Sequence, residues 1–134
     1  MFDITILTED RYLDPVKKNW YKEQVLLEEE ILFESLKKRG LVVTRKSWSD
    51  KNFDWSNTNF AIIRSTWDYF DRINEFYQWL MNIKDKLILI NSFNLVKWNL
   101  NKSYLLDFSK KKINIASSIF ISSKNFTNLK TLFN

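Results

Sequence analysis

The chain has 134 residues, of which 45% are hydrophobic and 16% aromatic, with six Trp but only one Gly and one Pro; this is the composition of a packed domain, not of a disordered segment. It has neither Cys nor His, so disulfides, thiolate or imidazole zinc sites, and Ser-His-Asp or Cys-His catalysis cannot be built from this chain alone. The formal net charge of +5 is uneven: residues 1–95 hold 14 Lys+Arg against 15 Asp+Glu, whereas residues 96–134 hold seven Lys against Asp107 alone. The basic end reads either as a face for phosphate or nucleic acid or, more plainly, as coding bias in a Lys- and Asn-rich chain.

The N-terminus carries early acids and no basic or long apolar stretch, unlike a signal peptide. Apolar runs reach only four residues, as at Leu87–Ile90, far short of the roughly 20 that span a bilayer. A cytoplasmic protein without a membrane partner is expected.

In chain order, Asp3–Thr8 alternates and is β-rich, predicting a first strand. Glu9–Lys18 holds Pro15 and reads as a loop long enough to be functional. Trp20–Arg39 is the clearest helix, with Leu27, Ile31, Leu32 and Leu36 at helical spacing as its apolar face. Gly40 follows as its left-handed end residue. Leu41–Thr44 is the expected second strand and Ser47–Asn59 a polar loop. The short apolar run Phe60–Ile63 reads as a buried parallel strand. A second helix covers Asp71–Ile83, with Ile73, Phe76, Trp79, Leu80 and Ile83 on one side, and Leu87–Ile90 is a fourth strand. A short helical stretch spans Ser92–Lys97. Asn99 then caps a helix over Leu100–Lys111. Ser117–Ile121 is a candidate fifth strand and Asn125–Phe133 a final helix.

Strands alternating with helices predict a mainly parallel sheet of four to five strands covered on both faces, a Rossmann-like three-layer α/β domain. In such sheets ligands bind beyond the C-terminal strand ends. The segment after Ile63, Arg64-Ser65-Thr66-Trp67-Asp68-Tyr69, is therefore the first place to seek a site. Arg64 reads as a guanidinium for a carboxylate or phosphate, or equally as the partner of Asp68 in a structural tie. Lys102 lies in the expected first turn of a helix, where a cation is disfavoured unless an anion binds; a solvated lysine is the plainer reading. No Walker A or G-x-G-x-x-G pattern occurs, and no acidic grouping has metal-site spacing.

The run RSTWDYFDRINEFYQWL from Arg64 to Leu80 and the run LINSFNLVKWNLNKSYLLDF from Leu89 to Phe108 resemble bacterial ATP-grasp ligases similar to glutathione synthetase and to the cycloserine-pathway enzyme. The resemblance covers about residues 3–121. It implies a pre-ATP-grasp substrate domain over residues 1–98, with residues 99–134 as the start of a truncated ATP-grasp region packed on it or trailing from it. Such ligases use ATP and Mg²⁺ to activate a carboxylate as an acyl-phosphate and couple it to an amine. By resemblance Arg64 holds a substrate carboxylate, with Thr66, Trp67 and Tyr69 nearby, and Lys102 reaches an ATP phosphate from the same opening. Asn101 stands where the family has Asp, and Lys112 where it has Gly. Alone, this chain is expected to be inactive and to bind neither ATP nor Mg²⁺ tightly. Expected partners are a small carboxylate or amine substrate, a separate ATP-grasp domain, or a second copy. The alternative is a stand-alone remnant that binds protein, or nucleic acid through Lys97, Lys102 and Lys110–Lys112, for which no recognition motif is present.

Overall fold

The computed structural model describes residues 1–17 and 19–121. The chain divides into two compact units, Met1–Lys97 and a second beginning at Trp98, and each is taken on its own. The first contains, in order, β1 (Phe2–Thr8), α1 (Asp10–Leu13), α2 (Trp20–Lys37), β2 (Val43–Ser47), a 3₁₀ turn at Trp55–Asn57, β3 (Thr58–Ser65), a 3₁₀ turn at Trp67–Phe70, α3 (Ile73–Ile83) and β4 (Ile88–Ile90). The four strands form one sheet in the order β2-β1-β3-β4, and every pairing is parallel.

This is the Rossmann-like three-layer arrangement that the alternating pattern predicts. Because parallel crossovers are right-handed, the path from β1 through α2 to β2 and the path from β3 through α3 to β4 place their helices on opposite faces. Side-chain pairing agrees. Arg45, level with Ile6 in the register, meets Glu29 of α2, whereas Lys46 points to the face of Phe53 and the aromatic cluster. β1 is the most enclosed strand, with Ile4–Thr8 all buried. Its one polar side chain in mid-sheet, Thr5, donates to Thr58 Oγ1 at 2.9 Å, and Thr58 donates onward to Phe60 O at 3.0 Å. Buried hydroxyls are thereby satisfied.

Part of the aromatic excess is core: Trp48, Trp55, Phe76 and Trp79 are buried, whereas Trp20, Trp67 and Trp98 are exposed. Trp48, Phe76 and Trp79 pack with centroid separations of 5.1–5.9 Å. Trp55 joins them through Trp79 at 5.5 Å and Phe53 through Trp55 at 4.8 Å. Such edge and tilted contacts add about 0.5–1.5 kcal/mol per pair beyond area burial.

Several expectations are corrected. Glu9–Lys18 is not all loop: Tyr12 N and Leu13 N both bond Glu9 O, closing the single turn of α1. The face of α2 that meets the sheet is Val25 and Glu29, both buried, whereas Leu27 and Ile31 are 54% and 63% exposed. Leu32 and Leu36 of the expected stripe are half-buried, so hydropathy spacing finds part of the face and misses Glu29, a charge matched by Arg45. Strand β2 begins two residues later than expected. Gly40, at φ +83°, ends α2 with Gly40 N on Lys37 O and Leu41 N on Leu36 O, a Schellman pattern that uses Leu41. Pairing with β1 then fixes the register from Ile4↔Val43 to Thr8↔Ser47. β3 is longer than Phe60–Ile63 for the same reason, since it pairs along β1 from Phe2 to Thr8.

The helix α4 (Phe93–Asn99) crosses into the second unit, which also holds α5 (Tyr104–Lys110). Asn99 closes α4 and does not cap a helix over Leu100–Lys111; Ser103 precedes α5 instead. Trp98, Tyr104 and Phe108 pack mutually at 4.4–5.8 Å, and the break between the two helices runs over residues 100–103, longer than the two expected helices leave. Ser117–Ile121 has no regular structure, so the sheet has four strands among the described residues. A strand needs a neighbour to pair with, and β-propensity does not supply one. The expected helix at Asn125–Phe133 lies outside the described residues. No helix among the described residues is long and apolar enough to cross a membrane.

Candidate functional site

In the order β2-β1-β3-β4 the chain leaves β1 toward one edge and β3 toward the other. The switch point is the gap between the C-terminal ends of β1 and β3, where open α/β sheets bind ligands. The residues at that gap are Glu9-Asp10-Arg11 after β1 and Thr66-Trp67-Asp68 after β3. Glu9 N donates to Ser65 O at 3.0 Å, so the two strand ends are tied by backbone. A register shift at Leu7/Thr8 accompanies the tie.

Glu9 is fully buried. One of its carboxylate oxygens takes Arg11 Nε, and the other accepts the backbone N–H of Asp68 at 2.6 Å. A buried carboxylate is costly unless paired and hydrogen-bonded, and both oxygens here are. Asp68 in turn accepts from Trp48 Nε1 at 2.7 Å and from Arg72 Nη1 at 2.8 Å. Arg72 is held on its other side by Glu75, through Nε at 3.0 Å and Nη2 at 2.7 Å, and lies over the Trp48 ring at 4.6 Å. Ser49 donates to Asp10 at 3.2 Å. The rim is thus two ion-paired groups, Arg11–Glu9 and Asp68–Arg72–Glu75, joined by the backbone N–H of Asp68 and running from the end of β1 to the start of α3.

These pairings shift the ionisation of the groups involved. The hydrogen bond that Arg11 donates to Glu9, ahead of the opposing cost of burial, raises Arg11 above the ordinary arginine value. Arg72 is raised, first by the hydrogen bonds to Glu75, and Glu75 is correspondingly lowered by Arg72. Burial is the leading cause of the rise at Tyr12.

The four residues expected at the substrate end are placed differently from one another. Arg64 stands near the end of the central strand β3, but its guanidinium turns to the α2 face, where Nη2 pairs with Glu28. The alternative tie of Arg64 to Asp68 is not formed, because Asp68 takes Trp48 and Arg72 instead. Thr66 is buried at the strand exit. Trp67 is 39% exposed and meets Tyr12 edge-on at 5.6 Å and Tyr21 at 6.3 Å. Tyr69 packs toward α3, against Phe76 at 5.4 Å. The fold therefore brings Thr66 and Trp67 to the switch point, turns Tyr69 into the aromatic core and leaves Arg64 beside α2. Lys102 belongs to the second unit, in the turn before α5 and not in its first helical turn. Its Nζ bonds Asn99 O at 3.4 Å and Asn99 Oδ1 at 3.2 Å.

Sequence reading passed over Glu9, Asp10, Arg11, Trp48 and Arg72. For the first three a signal existed: they follow a predicted strand directly, in the position where α/β sheets present ligand contacts. Trp48 and Arg72 gave none, since their partnership with Asp68 depends on how β2 and α3 sit around the sheet. An open cavity of about 410 Å³ lies between the loop after β2 and α3, and it shares Trp48, Ser49 and Glu75 with the rim. Among the described residues no group of three or more His, Cys, Asp or Glu side chains is placed to hold a metal ion.

Comparison with known proteins gives a consistent result. Residues 4–91 match the family described as the N-terminal domain of D-cycloserine synthetase DcsG. The chain is 31% identical over 78 residues to the cycloserine biosynthesis protein DcsG of Streptomyces lavendulae, a match that covers 58% of this chain and 26% of that protein. The crystal structure of D-cycloserine synthetase DcsG superposes with a TM-score of 0.69 at 23% identity, covering 84% of this chain and 34% of that one. The chain thus spans about a quarter to a third of the length of these relatives.

Proposed function

The chain belongs to the family of DcsG N-terminal domains, and from that premise we propose that it is the substrate-binding domain of an ATP-dependent carboxylate–amine ligase of the ATP-grasp, glutathione-synthetase-like kind. The observation that carries the reading is the built rim at the β1/β3 switch point, where an exposed Trp67 stands beside ordered charged groups. Such a rim suits a small molecule that bears a carboxylate or an amine.

In this reading Thr66 and Trp67 contact the substrate, and Tyr69 holds their turn against α3. Arg64 exchanges Glu28 for a substrate carboxylate. That exchange is inexpensive, because the pair is partly exposed and such bridges are worth about 0–1 kcal/mol. Lys102 holds an ATP phosphate. ATP, when bound, supplies the phosphoryl group that activates a carboxylate. The described residues offer no metal-holding carboxylate group, so Mg²⁺ is assigned no ligands on them. The work of this chain is to bind and orient, which lowers the barrier to coupling by fixing one reactant in place. It acts in the cytoplasm and, by itself, neither turns over nor holds ATP tightly.

The test is a titration of the 134-residue chain with small amino acids, followed by NMR at the Trp67 indole N–H, with ATP–Mg²⁺ and an oligonucleotide as parallel arms. A saturable amino-acid response at Trp67, with a weak ATP response, is expected. A response confined to the oligonucleotide, falling steeply with salt, would replace this reading with the nucleic-acid one.

A further inference from the structure

We propose that Arg11 is a second anion-gripping residue of this domain, a guanidinium anchored at Nε by the buried Glu9 so that its two terminal amino groups face the carboxylate or phosphate of the ligand. The proposal rests on the substrate-domain reading and names a residue that resemblance did not.

The arginines of the first unit divide clearly. Arg72 has Nε, Nη1 and Nη2 all engaged by Glu75 and Asp68. Arg45 is largely buried, with Nη2 on Glu29 and on Tyr12 O. Arg39 lies on α2, with Nη1 on Ser35, and Arg64 is turned to α2 by Glu28. Arg11 alone combines a place at the switch point, a side chain 61% exposed and a single anchoring contact, through Nε to Glu9. Among the described residues nothing bonds its Nη1 or Nη2. Those are the atoms that form the two-pronged contact with a carboxylate or phosphate.

The anchor is stiff. Glu9 cannot turn away, because its other oxygen is fixed by Asp68 N and its own backbone N–H by Ser65 O. Burying a charge at the strand end is unfavourable on stability grounds alone, and a neutral side chain would make the same tie to Asp68 N. What the carboxylate adds is the orientation of Arg11. Next to Arg11 stands Tyr12, its ring 6.0 Å from Arg11 Cζ, and Tyr12 abuts Trp67. An anion on Arg11 therefore has an aromatic wall for the flat or apolar part of the same ligand.

The test follows the Arg11 Nε–Hε and Trp67 indole resonances in the 134-residue chain. Sodium acetate and inorganic phosphate are titrated separately, with chloride holding ionic strength constant. A saturable shift at both resonances is expected with at least one of the two, acetate alone pointing to a substrate carboxylate and phosphate alone to a phosphorylated ligand. Arg11→Lys should weaken binding about tenfold by removing the fork. Glu9→Gln, with folding verified by urea titration, should weaken it several-fold, and Arg39→Lys, on α2 with its Nη1 on Ser35, should leave it within about twofold. Binding unchanged in Arg11→Lys, or no saturable response to either anion, overturns the assignment. A response at Trp67 that survives Arg11→Lys and is lost in Arg64→Lys sinks this inference while keeping the substrate-domain reading. A chain indifferent to both anions and to amino acids sinks both.

Discussion

Lys112 adopts φ +56°, the left-handed region in which side chains are strained and glycine is not. The hydrogen bonds around it, Lys112 N to Ser109 O and Ile113 N to Phe108 O, repeat at the end of α5 the pattern that Gly40 forms at the end of α2. Lys112 is also the position where the resemblance expects Gly, so the geometry accounts for the family's residue and marks this chain's departure as a local cost. Opposite effects follow for the two sites. Gly40→Ala places a Cβ in open space but forces a strained φ, and should destabilise by about 1 kcal/mol. Lys112→Gly should stabilise the end of α5 by roughly 0.5 kcal/mol, the relief of strain being offset in part by unfolded-chain entropy. Urea midpoints check the first, and slower amide exchange within α5 checks the second. Equal signs for the two substitutions would contradict the account.

At the scale of elements, α2 is fastened to the sheet by a charge pair where an apolar stripe is the simpler device. Glu29 is 1% exposed and meets Arg45, yet among the described residues Glu29 Oε1 and Arg45 Nε have no partner. A buried pair that is not fully satisfied stabilises little, but removing one member strands the other. Arg45→Met is therefore expected to cost about 3–5 kcal/mol, and the double substitution Glu29→Leu with Arg45→Met to recover most of it, read by urea unfolding as a double-mutant cycle. Additive losses would show the two residues to be uncoupled. The same pair explains which elements were legible in the sequence. β1, α2, α3 and β4 were readable because their periodicity and end residues are local properties. The buried face of α2 was not, because its central residue is a glutamate whose partner lies 16 positions away. The separation of α4 from α5 was legible, since two helices are expected here, but the start of α5 at Tyr104 was not, because Asn99 has the residue type of a helix cap. For the site, the rule of strand C-termini pointed to Thr66 and Trp67, but the orientation of Arg64 toward Glu28 depends on where α2 lies over β3.

At the scale of the whole molecule, burial is distributed very unequally. Every buried side chain among the described residues falls between Ile4 and Leu89, nearly the same span as the family match over residues 4–91. The sheet, the aromatic cluster and the Glu9 rim all lie within Met1–Lys97. A folding unit needs its own core more than it needs the remainder of the chain, and this one has a four-stranded sheet with helices on both faces. Residues 1–97 alone are therefore expected to unfold cooperatively in urea, with a slope of about 1 kcal/mol/M as suits a small domain. Their near-UV signal should match that of the 134-residue chain after allowance for Trp98 and Tyr104. The Arg11 Nε–Hε resonance should also keep its position, since its anchor lies wholly within this span. A fragment with gradual unfolding or a collapsed near-UV spectrum would mean that residues beyond Lys97 supply part of the core. In that event the boundary drawn between substrate domain and following region would have to move toward the C-terminus.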